Sequence, residues 1–197
     1  MPSPVAHSFV GVGGLIVLTH GTGLNPFLSF LWEKRREIIF FIIVANLPDL
    51  DMVIGFFLYG DVHTFHGLFS HSLLLAIPIA LAISFLYPVE RRWRRFLTFF
   101  ILIILHNLMD FSASPTLKEP GSGVGLFFPF YNERMASPFP LFFGFRHQNI
   151  EQFFSFHNLS VMGIEFFVFG WVTWTLYQIK RIFYRRRERK VDPWIQG

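Results

Sequence analysis

The stretch IIFFIIVANLPDLDMVIGFFLY, residues 38–59, decides how this chain is read. Its length and apolar flanks suit a membrane span, yet Pro48, Asp49 and Asp51 interrupt it. Ionisable side chains inside a span are costly, and they persist where they pair or function. Pro48 disfavours helical geometry at Leu47, so the backbone is expected to break there. The freed polar groups of a broken span are tolerated where it is buried in protein or lines a cavity. In a regular helix, residues two apart point in different directions. A break is therefore what would let Asp49 and Asp51 serve one site, either bridging two cations or with one as ligand and the other orienting a second ligand.

The rest of the 197-residue chain supports the membrane reading. It is 52% hydrophobic and 15% charged, where a soluble domain carries about 25% charged residues. Its mean hydropathy is +0.45. Five apolar segments, at about 5–24, 37–59, 72–89, 96–112 and 160–183, are expected to cross the bilayer as helices. Pro78 should kink the third. The expected fold is an all-α, polytopic transmembrane bundle. Without cysteine there is neither a disulfide nor a thiolate metal site. The start of the chain has no basic region before its apolar stretch, so it does not read as a cleaved signal peptide.

The net charge of +4 comes from three Lys/Arg clusters, at residues 34–36, 91–95 and 185–190. In a membrane protein these are topology signals rather than a nucleic-acid surface. They place the N-terminus outside and the C-terminus in the cytoplasm. Residues 1–184 then form one transmembrane domain, with the connection 113–159 external and 185–197 as a basic cytoplasmic tail. Acidic lipid or a partner is the second reading of that tail.

Depth then becomes a test. Asp49 lies 13 residues past Arg36, and His106 and Asp110 lie 11 and 15 past Arg95. At 1.5 Å per residue these are ~16–23 Å above the basic clusters. Glu165 reaches a similar level from Lys180, and His7 starts the first span on the same side. His66 and His71 lie at the mouth of the third span, with His63 further out in the loop. His20 falls at the opposite end. Imidazoles and carboxylates at one level, without lysine or arginine among them, call for a metal cation. The donor set suits zinc first, with manganese and iron as alternatives.

Each motif also has a plainer reading. His106 and Asp110 in HNLMD share one helical face at i and i+4, a spacing that also recurs by chance. HGLFSHS places His66 and His71 five apart across a loop-to-helix junction, where Ser70 or Ser72 could simply cap the helix. Asp49 could be a helix cap. His147 and His157 read as surface residues, and nothing is drawn from the sequon at Asn158. The Phe- and Pro-rich stretch from Leu126 to Phe145 is too polar to span. It is expected on the outer surface, as a lid or lipid contact or as a packed loop.

The ordered set of His7, LPDLD, HGLFSHS and HNLMD resembles the YdjM-type inner-membrane proteins, described as membrane-bound metal-dependent hydrolases. Their pattern has an N-terminal histidine, LPDxD, HRGxTHS and HxxxD. The resemblance covers roughly residues 7–110 and reaches Glu165 more weakly. It implies His7, Asp49, Asp51, His66, His71, His106 and Asp110 as metal ligands in the inner membrane. Gly67 and Leu68 stand where the family often has Arg and Gly, and Ser70 replaces Thr. The missing arginine would remove an anion contact, which Arg134 or Arg146 could replace. The ligand types are similar in kind to those of zinc-dependent phospholipase C.

The function expected from these residues is hydrolysis of an ester or phosphoester by metal-activated water. Glu165 would be a ligand or the general base, and Asp51 is the second catalytic candidate. Depth favours a lipid or lipid-linked substrate. The alternatives are a non-catalytic metal-binding protein, a metal transporter, or a di-iron oxidase. A transporter should carry ligands near the midplane with access to both sides. An oxidase of the desaturase kind should carry denser histidine boxes facing the cytoplasm.

Overall fold

The structure, a computed structural model, describes residues 2–19, 26–60, 66–113, 123–146 and 154–191, with side chains through residue 186 in the last helix. His20, His63 and His147 lie outside the described residues. All regular elements among the described residues are helical, and two residues, Val124 and Met135, form an isolated antiparallel bridge.

The helix α1, Pro4–Leu18, begins with Pro at its first position and Ser3 as cap, whose hydroxyl accepts the Val5 N–H at 3.2 Å. Both features suit a helix start. A short α2, Phe27–Glu33, leads into α3, Arg35–Ala45. The 3-10 turn Leu47–Asp49 then redirects the chain into α4, Leu50–Tyr59, at a bend of 58°. Pro48 offers no N–H to Val44, so the helical ladder fails where the sequence indicated. The Asp49 N–H bonds to Asn46 O at 3.1 Å and leaves the Ala45 carbonyl outside the ladder. Gly60, at φ 69°, ends α4.

Ser72 caps α5, Leu73–Ser84, which continues on both sides of Pro78. The helices α6, Val89–Phe111, and α7, Phe156–Val191, complete the bundle. The basic residues 185–190 lie in α7, which runs to Val191.

In the bundle, α1 packs against α3, α6 and α7, while α5 packs against α6. Leu15, Phe41, Phe99, Leu102, Ile103 and Tyr177 form its buried centre. Gly11 lets α1 approach α3 closely, since a Cβ there would lie 2.6 Å from the Phe41 carbonyl oxygen. Outward faces are apolar: Phe167 is 76% exposed and Trp171 68%. Apolar area on that scale fits contact with lipid.

Lengths depart from the expected five spans. Residues Phe156–Arg186 of α7, and α3 with α4 if taken as one bent span, are long and apolar enough to cross a membrane. The helices α1 and α5 have 15 and 12 residues, or about 22 and 18 Å against a hydrocarbon core of about 30 Å. In α6 the Arg91–Arg95 cluster occupies the first turns, which shortens its apolar part.

Residues 123–146 fold over one end of the bundle. The Gly125 N–H bonds to Gly67 O at 2.6 Å, the Leu73 N–H to Leu126 O at 3.0 Å, and the Ser137 N–H to Phe111 O at 2.7 Å. The Asn158 amide brackets the Arg146 backbone, donating to its O at 2.6 Å and accepting its N–H at 2.8 Å. His157 is half-buried rather than a surface residue, with Nε2 2.9 Å from Gly144 O. The stretch is therefore strapped down, yet it also presents Phe130 and Phe139, 86% and 79% exposed.

Candidate metal centre

Under this cover, four side chains from three separate parts of the chain bring one ligand atom each to a common point. The turn after α3 supplies Asp49, the loop before α5 supplies His71, and α6 supplies His106 and Asp110. Asp49 Oδ1 lies 3.6 Å from His71 Nε2 and 3.4 Å from His106 Nε2. Asp110 Oδ2 lies 2.9 and 3.1 Å from the same two nitrogens, which are 3.3 Å apart. Tetrahedral coordination at metal–ligand distances of 2.0–2.1 Å needs ligand atoms about 3.3 Å from one another. These five separations bracket that value.

The buried polar atoms give a second test of fit. Asp49 Oδ1 and both Asp110 oxygens are buried without a hydrogen bond. Buried carboxylate oxygens are costly unless paired or coordinating metal. Among the described residues, no Lys or Arg forms an ion pair with them. A divalent cation satisfies Asp49 Oδ1 and Asp110 Oδ2 at once, so the residues present fit a metal ion.

Supporting groups orient the imidazoles. His106 Nδ1 lies 2.8 Å from the Ala45 carbonyl that the helix break released. A carbonyl can only accept, so the proton sits on Nδ1 and the Nε2 lone pair faces the centre. His71 Nδ1 lies 2.9 Å from the Ser70 hydroxyl, which donates to Asp51 Oδ2. That hydroxyl is a relay: it accepts from His71 and passes the polarity on to a carboxylate. Metal-bound histidines are commonly oriented by such partners.

Asp51 is engaged on both oxygens. Besides Ser70, it accepts the Gly67 N–H at 3.3 Å and faces His66 Nδ1 at 2.8 Å. Gly67 has φ 81°, a backbone shape that L side chains resist, and this turns its N–H toward Asp51. Asp51, His66 and His71 Nδ1 form a second, smaller grouping of ligand-type atoms. Asp51 is thus hydrogen-bonded on both oxygens while belonging to a group that could itself hold a metal ion.

His7 lies beside the centre. Its ring stacks on His106 at 3.8 Å between centroids, and its Nε2 lies 3.2 Å from Asp110 Oδ1. Glu165 stands further out, accepting the Ser3 N–H at 3.0 Å and the Ser3 hydroxyl. It joins neither grouping of ligand atoms among the described residues. Of the seven ligands expected from sequence, four converge, Asp51 and His66 stand behind His71, and His7 adjoins Asp110. Ser70 and the Ala45 carbonyl were not foreseen in these roles. The only signal for Ser70 was a hydroxyl immediately before His71, which read equally well as a cap.

Arg134, half-buried in the covering stretch, feels the charge of Asp51. Burial pushes its guanidinium below the usual value, and Asp51 pushes it back up. It is thus electrostatically coupled to the site. Arg146 is exposed and held by its backbone.

The family model described as YdjM inner membrane protein matches residues 3–186. The chain is also 35% identical over 107 residues to "Inner membrane protein YbcI" of Escherichia coli (strain K12). That match covers 49% of the chain and 56% of the relative, so it spans about half the length of each. No solved structure matches.

Proposed function

The chain belongs to the YdjM inner membrane protein family, and from that premise we propose a multi-pass, metal-dependent hydrolase of the inner membrane. Its substrate is an ester or phosphoester carried by a lipid or lipid-linked molecule. The observation that carries the reading is the convergence of Asp49 Oδ1, His71 Nε2, His106 Nε2 and Asp110 Oδ2 within 4.8 Å of one another. These four would hold the ion, zinc before manganese or iron. When bound, such an ion supplies Lewis acidity and makes water a better nucleophile near neutral pH.

The remaining residues have separable tasks. Ser70 and Asp51 hold His71 in the tautomer that offers Nε2 to the centre. Ala45 O does the same for His106. Asp110 is steadied on its second oxygen by His7. Glu165 is the buried carboxylate that no ligand grouping includes, and it is the proton acceptor in this reading. Arg134 offers a cation to an anionic substrate group entering from the covered side.

Two features support a lipid substrate. The covering stretch, which also carries Arg134, exposes Phe130 and Phe139. An apolar cleft of about 370 Å³ also runs between α1, α6 and α7, with Phe9 and Leu105 at its upper end. These residues lie within two positions of His7 and His106. A chain in that cleft would bring its headgroup to the centre. In this reading the five apolar segments all enter the bilayer, with the centre in the outer leaflet and the basic clusters in the cytoplasm.

Elemental analysis of detergent-purified protein beside Asp49→Ala and His106→Ala variants tests the centre. About one divalent ion in the parent, lost in both variants, is expected. Unchanged metal in both would end the reading. A lipid-ester and phospholipid hydrolysis screen then tests the substrate. Turnover of water-soluble phosphoesters alone would remove the lipid, and metal uptake into proteoliposomes without hydrolysis would favour transport.

A further inference from the structure

The opposite end of the bundle holds a second cavity, of about 430 Å³, among α1, α3 and α6. Leu18 and Thr19 at the end of α1 form one wall, Lys34 and Glu37 at the start of α3 a second, and Arg91, Arg94 and Arg95 of α6 the third. Arg95 and His106 are 11 residues apart on one helix, so the cavity lies about 16 Å from the candidate metal centre.

Its electrostatics are one-sided. Among the described residues, four cationic side chains line it against one carboxylate, and that carboxylate, Glu37, is paired with Lys34 at 2.8 Å. Arg95 is held in place by the Tyr87 ring, 4.6 Å from its guanidinium carbon. Such stacking fixes a guanidinium plane while leaving its N–H groups able to donate. The last carbonyls of α1 would oppose an anion here, since a helix C-terminus is its negative end. Lys180 removes that obstacle. Its ammonium donates to the carbonyls of Ile16, Val17 and Thr19, at 3.2 Å for Val17.

A topology signal requires positive charge on this side of the membrane. It does not require residues from segments more than fifty positions apart to line one cavity. Nor does it explain why neighbours on α6 diverge. Arg92 turns away from the cavity to lie over the Phe85 ring, at 4.4 Å. The cavity is also far larger than a lone phosphate needs, and leucine forms part of its α1 wall. That combination suits an amphipathic anion. Basic pockets between membrane helices bind acidic headgroups by these means.

We propose that this cavity is a binding site for an anionic phospholipid, held through its phosphate headgroup by Arg91, Arg94 and Arg95. The site is separate from the metal centre and stands or falls independently of the hydrolytic reading.

The test is native mass spectrometry of the delipidated, detergent-purified full chain. It is titrated separately with dioleoylphosphatidylglycerol, dioleoylphosphatidylcholine and inorganic phosphate. Phosphatidylglycerol is expected to bind about tenfold more tightly than phosphatidylcholine, the scale of one added charged hydrogen bond. Arg91→Gln and Arg94→Gln should each weaken it by about five- to tenfold. Arg92→Gln removes the same charge from the same turn but not from the cavity, and should leave binding unchanged. Equal losses in all three variants would mean a general surface attraction and overturn the proposal. So would equal affinity of the unaltered chain for the two lipids, a result independent of how any variant folds. Binding of inorganic phosphate with the same arginine dependence, and none of phosphatidylglycerol, would assign the cavity to a soluble anion and also overturn it. Helical circular dichroism and the Tm measured on each variant show that the bundle is intact.

Discussion

His71 and His106 bring their Nε2 atoms to 3.3 Å although 35 residues separate them in sequence. Each ring is tied at its other nitrogen, to Ser70 Oγ and to Ala45 O. With both Nδ1 atoms protonated, the two lone pairs face one another beside Asp49 and Asp110. That arrangement repels itself unless a cation lies between, and it is the physical root of the expected outcomes below.

Asp110→Asn keeps the shape of the side chain and removes its charge. It is expected to lower metal affinity by at least about tenfold, since a first-sphere carboxylate counts for more than the outer partners whose loss costs 10–100-fold. Isothermal titration with zinc measures it. An affinity within twofold of the parent would mean that Asp110 is not a ligand.

Ser70→Ala breaks the link between His71 and Asp51 without touching a ligand atom. Metal affinity should fall by about 10–100-fold, the usual cost of removing an orienting partner. Ser70→Thr keeps the hydroxyl and should restore most of it. A helix cap alone would give both variants unchanged zinc affinity.

Gly11→Ala would press a methyl group against the Phe41 carbonyl. Backbone cannot swing aside as a side chain does, so α1 must move from α3. The expected loss is about 1–3 kcal/mol, read as a lower Tm. Because His7 rides on α1, the His7–Asp110 contact should loosen as well. A Tm equal to the parent's would show that the two helices separate freely.

Acid should empty the centre. Ligand imidazoles must be deprotonated to bind, so protons compete with the ion and affinity falls as pH drops. Zinc titrations from pH 8 to pH 5 check the direction. Chelation at neutral pH should likewise lower Tm, because the bound ion stabilises the folded state that presents its ligands. A pH-independent affinity would point to carboxylates without histidine.

Arg134→Gln should leave metal content intact and raise KM for an anionic substrate about tenfold, with kcat less affected, as loss of a charged hydrogen bond predicts. An equal effect on a neutral ester would assign Arg134 to loop packing instead.

Much of the site was legible because its chemistry is expensive. Aspartates and histidines amid Ile, Leu and Phe stand out in sequence, and their distance from basic clusters already placed Asp49, His106 and Asp110 at one level. The break at Pro48 was legible for a local reason, a missing N–H. Ser70 was not, because its role depends on Asp51, 19 residues away, and a serine before a helix has a plainer use. Glu165 shows the limit of the depth argument: equal height brought it near the centre, while Ser3 at the other end of the chain holds it. The end of the third segment was not legible, since the apolar run continues through residues 85–88, where the helix α5 has already ended at Ser84.

The Ala45 carbonyl carries a last consequence. The tautomer of His106 is set by a main-chain oxygen, and every amino acid supplies one. No exchange of side chain at position 45 can delete that instruction. Its vulnerability lies in the path of the backbone, at Pro48, where a residue able to continue the helix would reclaim the oxygen. The centre could then lose its metal with every ligand still present.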